Sequence, residues 1–543
     1  MLETVRTFTA LSEEFVEEGL RLWPVRATAA GIHDYDHLLP DDTPDGFRAR
    51  GAWLRDLEQR LAASVPWEEL PTEQRVDYAL LRSRLAVQRA ELEEIRTHAR
   101  DPVGCLRTAL DGVLLLMRPF APLDERKGAI VARLMAIPEY LAAARAGLEQ
   151  APRIWVDLAL EVADGGPALV SDVVRVLLRA FPHEAERIEH AGVRANSGLA
   201  AFRDALECEL GPRAEGSFAL GARWLDFHLE REHLLPLGSE ALEQLGREQA
   251  ALAHRGLEEL GRLDPGRPWR ARVEEARQRR SGAGWSPEGA EAEVAGAHRF
   301  VLERRLAPLS EVRLGIAAAP PYRRPLFARA AYLPPAPFDV EPQGMLLVPA
   351  SESARRPGSR ERAVAGCDLA LVAAREGWPG RHLQSAHAIH CGSRLRRIAG
   401  NRLLAGGWAL YAEELMVEEG FMADAGARLG WLIDLLDSAT RAVAGVALHT
   451  GRMSPAQAAD YLIEEALLDR PAALAEVKRL TLDPARGLGG LVGRLQILEL
   501  REEAKRRLGA KYNRLDFHAA LLAGGTIPPA LLREELWERL GVN

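Results

Sequence analysis

Arg375-Glu376-Gly377-Trp378-Pro379-Gly380-Arg381-His382-Leu383-Gln384 is followed further along by Gly406-Gly407-Trp408-Ala409-Leu410-Tyr411-Ala412-Glu413-Glu414-Leu415. Pro379-Gly380 separates two helical patterns, over 360–376 and 382–398, and a third pattern covers 406–419. The break therefore gathers two Arg, one Glu and one His at a junction of helices. Glu376 and His382 are residue types suited to acid–base work. Arg375 and Arg381 carry permanent charge, donate five N–H groups each and accept none, so they recognise carboxylate or phosphate.

On either side of this segment the chain reads as helix. Patterns recur over 3–31 (broken at Pro24), 45–65, 73–97, 122–149, 168–180, 184–209 and 238–262, each bounded by Pro, Gly or Asp. Beyond residue 419 they cover 426–449, 455–467, 471–479, 491–508 and 515–522, with Ser454-Pro455 as an N-terminal signal. Gly31-Ile-His-Asp-Tyr-Asp-His-Leu-Leu-Pro reads as a loop, and 263–290 as a surface connection. Residues 310–350 differ. Val312 to Ala318, Ala328 to Leu333 and Gly344 to Val348 are short apolar runs of strand type. Pro320, Pro321, Pro334, Pro335 and Pro337 restrict them to edges and turns.

Length and composition set the frame. The 543 residues are 47% apolar and 27% charged, which excludes a disordered or fibrous chain. Aromatic residues are only 6%, and Leu, Ala, Arg and Glu favour helix. The net charge of −8 supplies no basic field for nucleic acid. Lys occurs only at 127, 478, 505 and 511, so the cations are nearly all Arg, and they are scattered. Cys105, Cys208, Cys367 and Cys391 form no CxxC pair. No signal-like start and no apolar run of membrane-spanning length is found, so a cytoplasmic location, with no membrane or nucleic-acid partner, is expected. No G-x-S-x-G, Walker A or dinucleotide fingerprint occurs. Gly487-Leu-Gly-Gly-Leu-Val-Gly follows no strand and reads as a helix-to-helix turn.

With these motifs in order, the sequence resembles the bacterial domain-of-unknown-function 885 family, placed with zincin-like metallopeptidases. That family carries HEAYPGHHLQ, EGWALYAE, a DTGLH-like run, a GQLKILELR-like helix and an FHD stretch. The matching residues here are Pro379-Gly380, His382-Leu383-Gln384, Gly407 to Glu413, Leu448-His449, Gln496 to Arg501 and Phe517-His518. Ala27 to Asp36 resembles the family's ATxxGxHxYD. The resemblance spans nearly the whole chain. It implies a mainly α, large zincin-like helical fold with a central cleft and a small inserted β-sheet. One family domain over 1–543 is expected, helical over residues 1–305, forming a sheet or flap over 306–350 and helical again over 351–543.

The resemblance also implies a gluzincin plan, in which two His and one Glu hold zinc and a Glu acts as general base. Carried over, the first His falls on Arg375, the base on Glu376, the paired His on Arg381 and His382, and the ligating Glu on Gly406. At least two of three ligands are missing, so neither a metal nor any other cofactor is expected. The family's Asp before the LH pair falls on Gly445, and its later Gln and Tyr fall on Arg486 and Gly490. His387, His390 and Cys391 share a helix face at i, i+3 and i+4, which leaves a relocated metal site as a minor alternative.

Three functional readings stay open. The first is a metal-independent descendant of a peptidase-like family, either a repurposed enzyme or a pseudoenzyme. Its catalytic candidates are Glu376, His382, Tyr411 and His449, and its substrate-binding candidates are Arg375, Arg381, Trp378 and Trp408. Its substrate would be a small or peptide-like molecule with an anionic group, handled by acid–base chemistry rather than standard zinc-peptidase chemistry. The second is a non-catalytic binding or scaffolding protein. The third is an active metallohydrolase with a rearranged site.

Overall fold

Helix formers and regularly placed breakers make most of this chain helical, and the computed structural model describes residues 2–263, 266–279, 285–349, 369–422 and 425–542. It divides into two compact units. The first holds Met1–Phe218 with Pro320–Leu326 and Ala336–Pro342; the second holds Ala219–Ala319, Phe327–Pro335 and Gln343–Asn543.

In the first unit the helices are Leu2–Leu22, Pro24–Ala30, Pro44–Ser64, Thr72–Ala90, Pro102–Leu116, Leu123–Gly147, Arg153–Ala180 and Ala185–Ala205. Thr43 and Asp101 cap two of them by accepting from the N–H groups of Gly46 and Gly104, with Pro at the first turn of each. Helix 153–180 is longer than the expected 168–180. Gly165-Gly166-Pro167 reads as a break, yet the helix runs through it. The reason is packing: a Cβ on Gly165 would lie 2.3 Å from Tyr322 N, so the glycine admits the returning segment 320–326. The Tyr322 hydroxyl then donates to Asp111 at 2.6 Å.

The loop after Ala30 is pinned by His33. Its Nδ1 lies 2.8 Å from Asp36, its Nε2 lies 3.0 Å from Asp339, and its ring stacks on Phe120. Burial alone would push this imidazole down. The two carboxylates outweigh that and raise it to about 9.

The sheet falls in the second unit, where its sequence signature lies. Strands β1 (Arg313–Ala318), β2 (Ala331–Leu333) and β3 (Gln343–Val348) take the order β1-β3-β2. β1 runs parallel to β3 with Arg313 opposite Gln343, and β2 runs antiparallel with Ala331 opposite Leu347. All five prolines named above lie outside the strands, where no ladder N–H is lost.

Helices Ser239–Arg262, Ala425–His449 and Leu488–Leu508 supply much of this unit's core, through Leu242, Ala253 and Leu257, then Ile433, Leu436 and Ala439, then Leu488 and Leu491. Each such leucine contributes roughly 1.5–3 kcal/mol on burial. Helices Arg402–Glu418 and Leu488–Leu508 approach unusually closely. A Cβ on Gly407 would lie 2.2 Å from Gly493 C, and one on Gly493 would lie 1.7 Å from Leu403 O. The glycine run after Leu488 is therefore the start of a helix rather than a turn. Ser454 closes a full capping box with Gln457 ahead of helix Pro455–Ala466. The pattern expected over 382–398 splits into Arg381–Ala388 and Arg394–Ile398, because Gly392-Ser393 interrupts it and Ser393 caps the second piece. Most of the expected helix 360–376 lies outside the described residues.

Candidate functional site

Ala373–Gly377 forms a widened helical turn in which Trp378 N–H donates to Ala373 O at 3.0 Å. Trp408 Nε1 donates to Pro379 O at 2.8 Å and fixes the break against helix 402–418. From this turn Arg375 reaches two buried carboxylates. Its Nη1 lies 3.3 Å from Glu413 Oε2 and 4.0 Å from Asp434 Oδ2. Arg329 closes the other side, with Nη2 at 2.9 Å from Asp434 Oδ1. Glu376 lies 3.9 Å from Arg375 Nε and 3.2 Å from Arg381 Nε. The result is a chain of charge, Arg329–Asp434/Glu413–Arg375–Glu376–Arg381, in which only Arg381 is substantially exposed.

Two carboxylates this close and this buried cannot both ionise cheaply. Burial first, then the neighbouring Asp434, holds Glu413 well above the usual carboxylate range, against the pull of Arg375 and Arg329. Asp434 faces both guanidinium groups, so the shared proton belongs to Glu413.

The same helix carries the network onward. Asp437 is held by Arg277 at 2.5 Å, and Arg441 reaches Glu476 at 2.9 Å. Burial would raise Glu476, but Arg441, Arg479 and Arg486 bring it down to about 2. Arg486 is pushed down to about 10, chiefly by burial. Opposite Arg375 stands Gly490, where a Cβ would lie 3.8 Å from Arg375 Nη2.

The other candidates are engaged elsewhere. His382 is fully buried, with Nε2 at 2.9 Å from Val312 O and Nδ1 at 3.1 Å from the Tyr332 hydroxyl. Trp378 meets its ring edge-to-face at 4.9 Å. Burial pushes His382 down to about 4, so it is a neutral pin between helix and sheet. The Tyr411 hydroxyl lies 2.8 Å from His518 Nε2, while His518 Nδ1 donates to Leu306 O. Burial raises Tyr411 to about 12. His449 Nε2 donates to Leu480 O at 3.0 Å. It stands fifteen residues beyond Asp434 on one helix, ~22 Å along the axis. The structure thus gathers Arg375, Glu376 and Arg381, and does not bring His449 to them.

Sequence reasoning missed Arg329 and Asp434, and quoted Glu413 without giving it a role. A signal existed for Asp434: an acidic residue between Leu432-Ile433 and Leu435-Leu436 must find a cation.

The implied zinc plan does not fit these residues. Guanidinium groups occupy the positions of Arg375 and Arg381, and neither can donate a lone pair. At Gly406 a Cβ would stand 2.9 Å from Gly489 C and 3.0 Å from Gly490 N, leaving no room for a glutamate. His387 is tied to Pro308 O, Cys391 donates to Ala388 O, and the helix ends at Ala388, before His390. Among the described residues no group of three His, Cys, Asp or Glu is arranged to hold a metal.

The family model for a bacterial protein of unknown function (DUF885) matches residues 24–536. The chain belongs to the DUF885 family. No curated protein matches it. Two solved structures share the fold of this DUF885 chain. One, "a putative lipoprotein of unknown function from Shewanella oneidensis", is 20% identical, covering 97% of this chain and 99% of its own, with a TM-score of 0.75. The other, "the putative lipoprotein from Colwellia psychrerythraea", is 17% identical over 100% of both chains, with a TM-score of 0.81. These matches overturn the expected cytoplasmic location: both of these chains that carry the fold are described as putative lipoproteins. Among the described residues no helix is long and apolar enough to cross a membrane.

Proposed function

We propose that this DUF885 member is a metal-independent descendant of a zincin-like peptidase family, a pseudoenzyme that has kept the scaffold and given up hydrolysis. The observation that supports this is Arg375. At the position of the family's first metal-binding His it places a fixed cation, 3.3 Å from Glu413 and 4.0 Å from Asp434. The guanidinium supplies positive charge where a metal would, but it offers no open coordination position for water. Glu376, the residue that would act as base, is drawn into ion pairs with Arg375 and Arg381 instead. His382 and Tyr411, the other acid–base candidates, are held in core contacts as neutral groups.

The reading is tested by incubating the purified chain with fluorogenic peptides and excess zinc. No turnover above buffer is expected, and Glu376→Gln is expected to give the same baseline. Zinc-dependent cleavage abolished by Glu376→Gln would establish an active metallohydrolase with a rearranged site and overturn the proposal.

A further inference from the structure

A recess of about 310 Å³ opens within the first unit, between the turn at Trp23, helix 44–64 and helix 102–116. Its charged lining is almost fully satisfied from within. Arg50 is buried and donates to Asp42 at 2.8 Å, and the Tyr140 hydroxyl takes the other Asp42 oxygen at 2.8 Å. Glu91 accepts from Thr97 at 2.5 Å, and Asp101 accepts from Gly104 N at 2.8 Å.

Arg26 is the exception. Its guanidinium carbon lies 5.2 Å from the centre of the Trp23 ring, the side chain is exposed, and it makes no hydrogen bond or ion pair among the described residues. Arg84 and Arg50 lie near enough to repel it, and Asp42 attracts it. Arg50 and Tyr140 already hold that Asp42 carboxylate, so Arg26 has no anion to itself. Beside it His98 stacks on Phe47 with ring centroids 3.8 Å apart, and His98 Nδ1 has no hydrogen-bond partner. Burial lowers His98 to about 4, so it is neutral near pH 7.

We propose that this recess is a binding site for a small monocarboxylate with a flat apolar body, its carboxylate paired with Arg26 and its body against the Trp23, Phe47 and His98 rings. The volume lies near the lower end of small-molecule pockets, which run from about 300 to 1,000 Å³. A guanidinium matches a carboxylate bidentately, and Trp23, Phe47 and His98 give the recess an aromatic wall for an apolar body. One guanidinium in a recess also lined by Asp42, Glu91 and Asp101 favours a single negative charge over a dianion.

The test is calorimetric titration of the full chain with 2-naphthoate, with 2-naphthalenemethanol and 2-naphthyl phosphate as the neutral and dianionic comparisons. One saturable site for naphthoate is expected, with at least about tenfold weaker binding of either comparison ligand. Arg26→Gln should cost about tenfold or more in naphthoate affinity, and Arg26→Lys should fall between. Because the exposed Arg26 side chain makes no hydrogen bond or ion pair among the described residues, both variants should melt nearly as the parent does. No saturable binding at ~5 mM naphthoate, equal affinity in Arg26→Gln, or tighter binding of the phosphate would overturn the proposal.

Discussion

Arg375 and Arg26 are the same residue type in opposite circumstances. Arg375 is closed: two carboxylates face it from within the second unit, and little of it is exposed. Arg26 is open: it lines a recess in the first unit and no carboxylate has claimed it. A buried guanidinium that has found its counter-ions is structure, because moving either partner strands a charge. A guanidinium left unpaired in a recess is capacity to bind. The segment that carries the family motif has consumed its charges internally, and the available charge lies in a region with no catalytic motif.

That contrast breaks most readily at Arg375. Arg375→Ala should lose ~3–5 kcal/mol of stability in chemical denaturation, since it uncovers Glu413 and Asp434. A loss below ~1 kcal/mol would mean the cluster is solvated and Arg375 is as free as Arg26. Next comes Gly406→Glu, which puts back the residue type that the proposed zincin plan would require there. It should cost ~3 kcal/mol by melting, because the new Cβ meets the backbone of Gly489 and Gly490 at about 3 Å.

The two carboxylates sharpen the comparison further. Asp434→Asn should cost ~2 kcal/mol, because two guanidinium groups lose their shared charge. Glu413→Gln should cost under ~1 kcal/mol, because the amide resembles the protonated acid already present. The sign of the pH dependence follows. The folded pKa of Glu413 lies above its unfolded value of 4.5, so its contribution is full below about 4.5 and is lost as pH rises toward the folded value. Glu413→Gln should therefore gain on the parent protein as pH climbs above that point, measured by urea midpoints across pH. Smallest of all, Arg26→Gln should change stability by no more than ~0.5 kcal/mol.

Much of the fold was legible because prolines and glycines punctuate it. The strands fall within a residue or so of Val312–Ala318 and Gly344–Val348, and helix 425–449 was bounded almost correctly. Breakers misled where tertiary packing overrode them. Gly165-Gly166-Pro167 stayed helical to admit Tyr322, and the 487–493 glycines became a helix seam. At the site, Arg375, Glu376 and Arg381 were legible because they stand close in sequence. Arg329 and Asp434 were not, since ion pairs that close through 105 residues leave no spacing to read. Nor does residue type reveal burial: His382 and Tyr411 look chemical in a motif, and the fold holds both in core hydrogen bonds.

The most direct test is the metal content of the purified chain after dialysis against zinc, read together with its melting temperature before and after chelator. The proposal that Arg375 stands in for a metal predicts far less than one zinc per chain and a melting temperature that chelator leaves unchanged. One tightly held zinc per chain, lost to chelator with a clear drop in melting temperature, would contradict it.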